Sequence, residues 1–160
     1  MSDKTTAASR DEGDGSTSLK KELKGANLKS EIKVLIGSVG DIVTARQRGR
    51  DLALRSGFTQ TESTLVATAI SELARNIVLY AKSGEMILGL VNNDEHSGII
   101  IIARDDGPGI AELQRALMGG YSTSGGLGLG LSGVRRMVDE FDVRTGPGEG
   151  TAVTATKWLR

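Results

Sequence analysis

Three short stretches hold the residue types that could do chemistry. Glu72 and Asn76 stand four apart in a stretch of helical apolar spacing, so they share a face with Cβ atoms about 5–6 Å apart. A carboxylate beside a side-chain amide oxygen suits a hard, oxygen-preferring cation such as Mg2+. Taken alone, the pair also reads as two ordinary solvent-facing helix residues. Ser71, Arg75 and Asn76 interrupt the apolar pattern on several sides, which fits a helix whose end faces a cleft.

The second stretch is Asp105-Asp106-Gly107-Pro108-Gly109, directly after the apolar run Ile99 to Ile102. Asp105 at a strand's end could accept a hydrogen bond from a ligand's amino group. Gly107 and Gly109 would leave the backbone bare for a flat ring. An ordinary Asp/Gly/Pro turn accounts for the same residues.

The third is Gly125-Gly126-Leu127-Gly128-Leu129-Gly130, which opens a helix. Free N–H groups at a helix start, unobstructed by side chains, form an anion site suited to phosphates. Gly128-x-Gly130-x-x-Gly133 matches the dinucleotide fingerprint letter for letter, but a Ser/Thr/Gly loop precedes it where that motif needs a strand. A P-loop would end in Lys-Ser/Thr, and this loop has no lysine. His-Arg-Asp of the eukaryotic-type kinases is absent too.

The elements that must position these groups can be read from periodicity. Glu31 to Ile36 alternates and predicts a strand, and Val39 to Arg55 predicts a helix. Thr59 with Glu62 forms a capping box. A long helix runs from there to about Ala81, burying Leu65, Val66, Ala69, Ile70, Leu73, Ile77 and Tyr80. Glu85 to Asn92 and Gly98 to Arg104 make a hairpin, and its unbroken Ile99–Ile102 run predicts a central strand covered on both faces. Ile110 to Met118 reads as a short helix, Gly119 to Gly128 as a mobile loop, and Leu129 to Phe141 as a helix. Asp142 to Thr145 and Thr151 to Trp158 close the chain as a last hairpin. Hairpins exclude a parallel Rossmann sheet. The expectation is a two-layer α/β sandwich, a mixed sheet with helices on one face.

Composition narrows the function. The 160 residues hold 20 Lys+Arg and 20 Asp+Glu, a formal net charge of +0, so no general nucleic-acid binder is expected. Without cysteine and with one histidine, disulfides, thiolate sites and multi-histidine metal sites are excluded. Aromatics at 3% leave no stacking platform for single strands. No segment has the ~18 apolar residues of a membrane helix and no signal peptide opens the chain, so a soluble, cytoplasmic protein is expected. Residues 1–27 read as a disordered tail or added sequence, because they lack the apolar area to offset ordering; residues 28–160 form the domain. His96 reads as solvated and Trp158 as a packing residue. Arg46, Arg48, Arg50 and Arg55, with Asp51, read as a wet helix face, with a partner surface as the alternative.

Each motif is weak alone; their order is informative. It matches the Bergerat ATP-binding fold of gyrase, Hsp90, histidine kinases and MutL, the GHKL superfamily. Ser71-Glu-Leu-Ala-Arg-Asn76, Asp105-Asp-Gly-Pro-Gly-Ile110, Ser122-Thr-Ser-Gly-Gly-Leu-Gly-Leu-Gly-Leu131 and the ending Lys157-Trp-Leu-Arg160 resemble RsbT-type switch serine/threonine kinases, the anti-sigma-factor kinase branch. Asp41-Ile-Val-x-Ala-Arg-Gln is similar as well, so the resemblance spans about Glu31 to Arg160.

The resemblance implies ATP and Mg2+ as cofactors. Asn76 matches the residue that binds Mg2+, and Glu72 the carboxylate that positions or deprotonates the attacking hydroxyl. Asp105 matches the partner of the adenine amino group, with Gly107 and Gly109 along the base and Thr151 assisting. Gly128 and Gly130 match the glycines under the phosphates. The lid from Gly119 to Leu127 includes Ser122, Thr123, Ser124 and Gly126, and Leu129 follows it as a further nucleotide contact. Gly119 to Gly130 contains no Lys or Arg, which leaves phosphate charge to Mg2+, backbone N–H groups and Arg75. The implied partners are STAS-domain antagonist or scaffold proteins as substrates, and a PP2C-type phosphatase downstream. Two rivals remain. One is a nucleotide-gated binding module without phosphotransfer, against which Glu72 argues. The other is a detached histidine-kinase domain, for which no phospho-acceptor helix is visible.

Overall fold

In the computed structural model, which describes residues 22–110 and 130–160, the alternating segments pair into one sheet. Its strands are β1 (Asn27–Ile36), β2 (Gly84–Asn92), β3 (Ser97–Asp105), β4 (Glu140–Thr145) and β5 (Thr151–Trp158). They lie in the order β1-β2-β3-β5-β4. The two-layer α/β sandwich forms as expected, with one correction: every described strand pair is antiparallel, so the sheet is not mixed. Between β1 and β2 the chain runs through the helical layer twice, in α1 (Val39–Arg55) and α2 (Gln60–Asn76). It therefore re-enters the sheet where it left, with Ile36 opposite Gly84.

Helix starts reflect local chemistry. The Ser38 hydroxyl accepts the Asp41 N–H at the head of α1. Thr59 Oγ1 accepts the Glu62 N–H at 3.1 Å at the head of α2, one half of the capping box. Ala45, Leu52 and Ala53 of α1 join Val66, Ala69, Ile70 and Leu73 of α2 in the main core. Ile99 and Ile101 of β3 point into that core, and Ile100 and Ile102 into a smaller cluster on the opposite face. The central strand is covered on both sides.

Three boundaries differ from expectation. α2 ends at Asn76, and Ile77–Ala81 forms a π turn. The extra residue in that turn rotates the side chains after it about the helix axis, so Tyr80 is 51% exposed and not in the core. α3 (Gly130–Met137) stops short of Phe141, which lies in β4 opposite Ala155. Val138 and Phe141 fit a helical stripe, but Phe141 and Val143 also alternate, and pairing with β5 decides between the two periods. β1 begins at Asn27, four residues early, along the edge of β2.

The tail boundary at residue 27 also moves. The Glu22 carboxylate is 6% exposed, accepts a hydrogen bond from Thr154 Oγ1 and lies 3.7 Å from Arg144. Leu23, Ala26 and Leu28 cover the smaller cluster. The sheet face opposite the helices is apolar at β3, and these residues shield it from water. Trp158 packs there as expected and donates its Nε1–H to Glu140. Exposed His96 lies 6.2 Å from the Trp158 ring. Residues 1–21 of the expected tail, all but Ile110 of the short helix expected over Ile110 to Met118, and the loop expected over Gly119 to Gly128 fall outside the described residues.

Candidate active site

The last turn of α2 carries the first pair of candidates. Glu72 is 7% exposed, and its Oε1 accepts a hydrogen bond from Arg75 Nη1 at 3.0 Å. A carboxylate so removed from water needs such a partner. Asn76 is the final residue of the helix and is partly buried. Arg75, expected to share phosphate charge, is the donor of that bond.

The π turn joins this helix end to the sheet. A Cβ on Gly84 would lie 2.9 Å from Ile77 Cγ2 and 3.1 Å from the Asp105 Cβ, and Gly84 sits opposite Asp105 in the ladder. One residue past Asn76, the chain therefore rests against the strand end that carries Asp105. Ala81, closing the turn, fits against Gly107, where a Cβ would come within 2.6 Å of the Ala81 Cβ. Bare backbone at Gly107 thus serves protein packing.

Asp105 accepts the Gly107 N–H at 2.9 Å. Its pKa is raised above the ordinary 3.8, first by burial and then by the neighbouring Asp106 charge; hydrogen bonds from the Gly107 and Thr151 backbones oppose the shift. Thr151 faces Asp105 across the β3–β5 ladder, the neighbourhood its predicted role requires. Gly109 packs against the β4–β5 turn, where an added Cβ would lie 2.0 Å from the Gly146 carbonyl oxygen. The Gly148 N–H donates to Pro108 O at 2.7 Å.

One positioning residue was missed at the sequence level. Thr145 Oγ1 accepts the Ile110 N–H at 2.8 Å, donates to Gly150 O at 2.9 Å and lies 3.0 Å from Thr151 Oγ1. Two threonines flanking a Gly-rich hairpin turn were the available signal. Gly130 opens α3, which packs along α2. Ser122, Thr123, Ser124, Gly126, Gly128 and Leu129 lie outside the described residues. Glu72, Asn76, Asp105, Gly107, Gly109 and Thr151 thus belong to connected parts of one framework.

The donor set fits a cation that arrives with its ligand. Among the described residues no group of three or more His, Cys, Asp or Glu could hold a metal ion. With Glu72 paired to Arg75, Asn76 offers the amide oxygen. Mg2+ commonly keeps waters and phosphate oxygens alongside few protein oxygens.

Comparison with known proteins agrees with this arrangement. Residues 61–160 match the family of histidine kinase-, DNA gyrase B- and HSP90-like ATPases. Serine/threonine-protein kinase RsbT of Bacillus subtilis strain 168 is 50% identical over 120 residues, covering 75% of this chain and 90% of that protein. Within that ATPase family, the chain belongs to the RsbT kinases. It is thus a protein serine/threonine kinase with an ATP-binding domain. Anti-sigma F factor of Caldanaerobacter subterraneus subsp. tengcongensis is 29% identical over 100 residues, 59% of this chain and 68% of that one. A crystal structure of the RsbU and RsbW domains of Rv1364c from Mycobacterium tuberculosis superposes with a TM-score of 0.55 at 18% identity. That match covers 82% of this RsbT-family chain and only 33% of the solved one, and it speaks to fold alone. Among the described residues, no helix of the kinase is long and apolar enough to cross a membrane.

Proposed function

We propose that this kinase transfers the γ-phosphoryl group of Mg-ATP to a Ser or Thr of a STAS-domain antagonist or scaffold protein in a bacterial partner switch, in the cytoplasm. The observation that supports phosphotransfer is the buried carboxylate of Glu72, one helical turn before Asn76. Nucleotide binding alone asks for no such group. Glu72 takes or orients the proton of the acceptor hydroxyl, and Asn76 holds Mg2+, which when bound offsets phosphate charge. Asp105 accepts from the adenine amino group, assisted by Thr151. Gly128 and Gly130, with Ser122, Thr123, Ser124, Gly126 and Leu129, line the phosphates. Positioning and charge neutralisation are most of what phosphoryl transfer requires.

Phosphorylation adds about −1.5 to −2 charges to the partner. The complex then separates, and the freed kinase binds a PP2C-type phosphatase. Likeness to an anti-sigma F factor favours a second reading, nucleotide-gated partner binding without required transfer. A pull-down with a STAS-domain protein, followed by its intact mass, separates the two. In Mg-ATP the wild type should release a phosphorylated partner, while Glu72→Gln should retain an unmodified one. A wild-type complex that persists with no phosphate on the partner overturns the kinase mechanism.

A further inference from the structure

We infer that Arg75 is a positioning residue for phosphotransfer, acting through the Glu72 carboxylate; this rests on Glu72 being the base. The two residues are three apart on α2, and the Arg75 Nη1–Glu72 Oε1 contact is 3.0 Å. The Glu72 side chain is 9% exposed and that of Arg75 38%. Three rotatable bonds separate the Glu72 carboxylate from the backbone, and a base must hold one oxygen toward the acceptor hydroxyl within hydrogen-bond reach. The hydrogen bond from Arg75 fixes Oε1 and, among the described residues, leaves Oε2 without a hydrogen-bond donor.

Two other arginines near the strand ends are placed differently. Arg104 and Arg144 lie in ion pairs with Glu85, and with Glu22 and Asp142. Arg104 alternates with Ala103, so its side chain belongs to the sheet face away from the helices. Among the described residues Arg75 is the cation in contact with Glu72, and its planar guanidinium holds a carboxylate with a directionality that a lysine ammonium lacks.

Steady-state transfer from ATP to a purified STAS-domain protein tests this in a double-mutant cycle. Arg75→Ala should lower kcat on the order of 10²-fold, the scale of a misplaced catalytic group, with the KM for ATP unchanged. Arg75→Lys should recover part of that loss. In the Glu72→Gln background, Arg75→Ala should cost nothing further, because its effect passes through the missing carboxylate. Glu72→Gln transferring as fast as wild type would overturn both the base assignment and the role of Arg75. A slow Glu72→Gln overturns the Arg75 inference alone if Arg75→Ala is as fast as wild type, raises KM instead, or adds its own full loss in the double mutant. Thermal melts of each variant separate these outcomes from loss of fold, since a purely structural ion pair would lower Tm without coupling in kcat.

Discussion

The Ile110 N–H donates to Thr145 Oγ1 at 2.8 Å, joining positions 35 residues apart. That bond ties down the segment that follows Asp105, and the same hydroxyl donates to Gly150 O. The candidate base-recognition loop is thus held from the β4–β5 hairpin. Thr145→Val keeps the shape and removes every polar contact of the hydroxyl. An unpaired backbone N–H costs about 1–3 kcal/mol, so Tm should fall modestly and ATP affinity several-fold. Titration with ATP checks it, and wild-type affinity in Thr145→Val would remove the hydroxyl from the loop's support.

Gly109 and Gly148 share a left-handed backbone, φ +79 and +77, but not their surroundings. Open space surrounds a Cβ at Gly148, whereas at Gly109 it would meet Gly146 O at 2.0 Å. Gly148→Ala should therefore cost only the conformational penalty of about 1–2 kcal/mol. Gly109→Ala must also push the hairpin turn away from the Asp105 loop, so it should lose more stability and nucleotide affinity together. Equal melting temperatures for the two variants would contradict this locking of loop to turn.

The latch on the sheet's outer face makes a third prediction. Removing the Glu22 carboxylate leaves Thr154 Oγ1 buried without its acceptor, a loss of about 1–3 kcal/mol. Glu22→Ala should lower Tm and speed hydrogen exchange over residues 22–28, while Glu22→Gln keeps an acceptor and should lose less. Exchange in this segment at the wild-type rate in Glu22→Ala would show that the latch does not hold it.

The features legible in the sequence had a periodic or stereochemical signature. The Ile99–Ile102 run placed a strand covered on both faces, and Thr59 placed the start of α2. The motif order placed Glu72, Asn76 and Asp105 on a helix end and a strand end. Features that escaped were decided by tertiary contact. Ile77–Ala81 looks helical until Gly84 and Gly107 draw it against the sheet, and that turn moves Tyr80 out of the core. Phe141 fits two periods, and β5 chooses between them. Glu22 reads as tail because its partners Thr154 and Arg144 lie more than a hundred residues away. No local pattern announces a contact over that separation.

Asp105 sets function against stability, with a sign fixed by its surroundings. Burial and the Asp106 charge raise its pKa above the ordinary 3.8, so ionising it costs more in the folded chain than in the unfolded one. A raised folded pKa contributes stability that is fully present below the unfolded value and is lost as pH rises through the folded one. At neutral pH the wild type therefore carries an unfavourable charge that Asp105→Asn removes, while the Asn Oδ1 can still accept the Gly107 N–H. The variant should melt at or above the wild type at pH 7, and this difference should shrink as pH falls through the carboxylate range. Its ATP affinity should nonetheless drop about ten- to a hundredfold, since a hydrogen bond to a charged acceptor is worth about 1.5–3 kcal/mol. The wild type should also prefer ATP to GTP, whose ring presents an acceptor where adenine presents its amino group. Melting curves across pH, paired with titrations of both nucleotides, check the two halves separately. A variant less stable than wild type at pH 7 would contradict the charge argument, and ATP affinity unchanged in Asp105→Asn would remove Asp105 from base recognition.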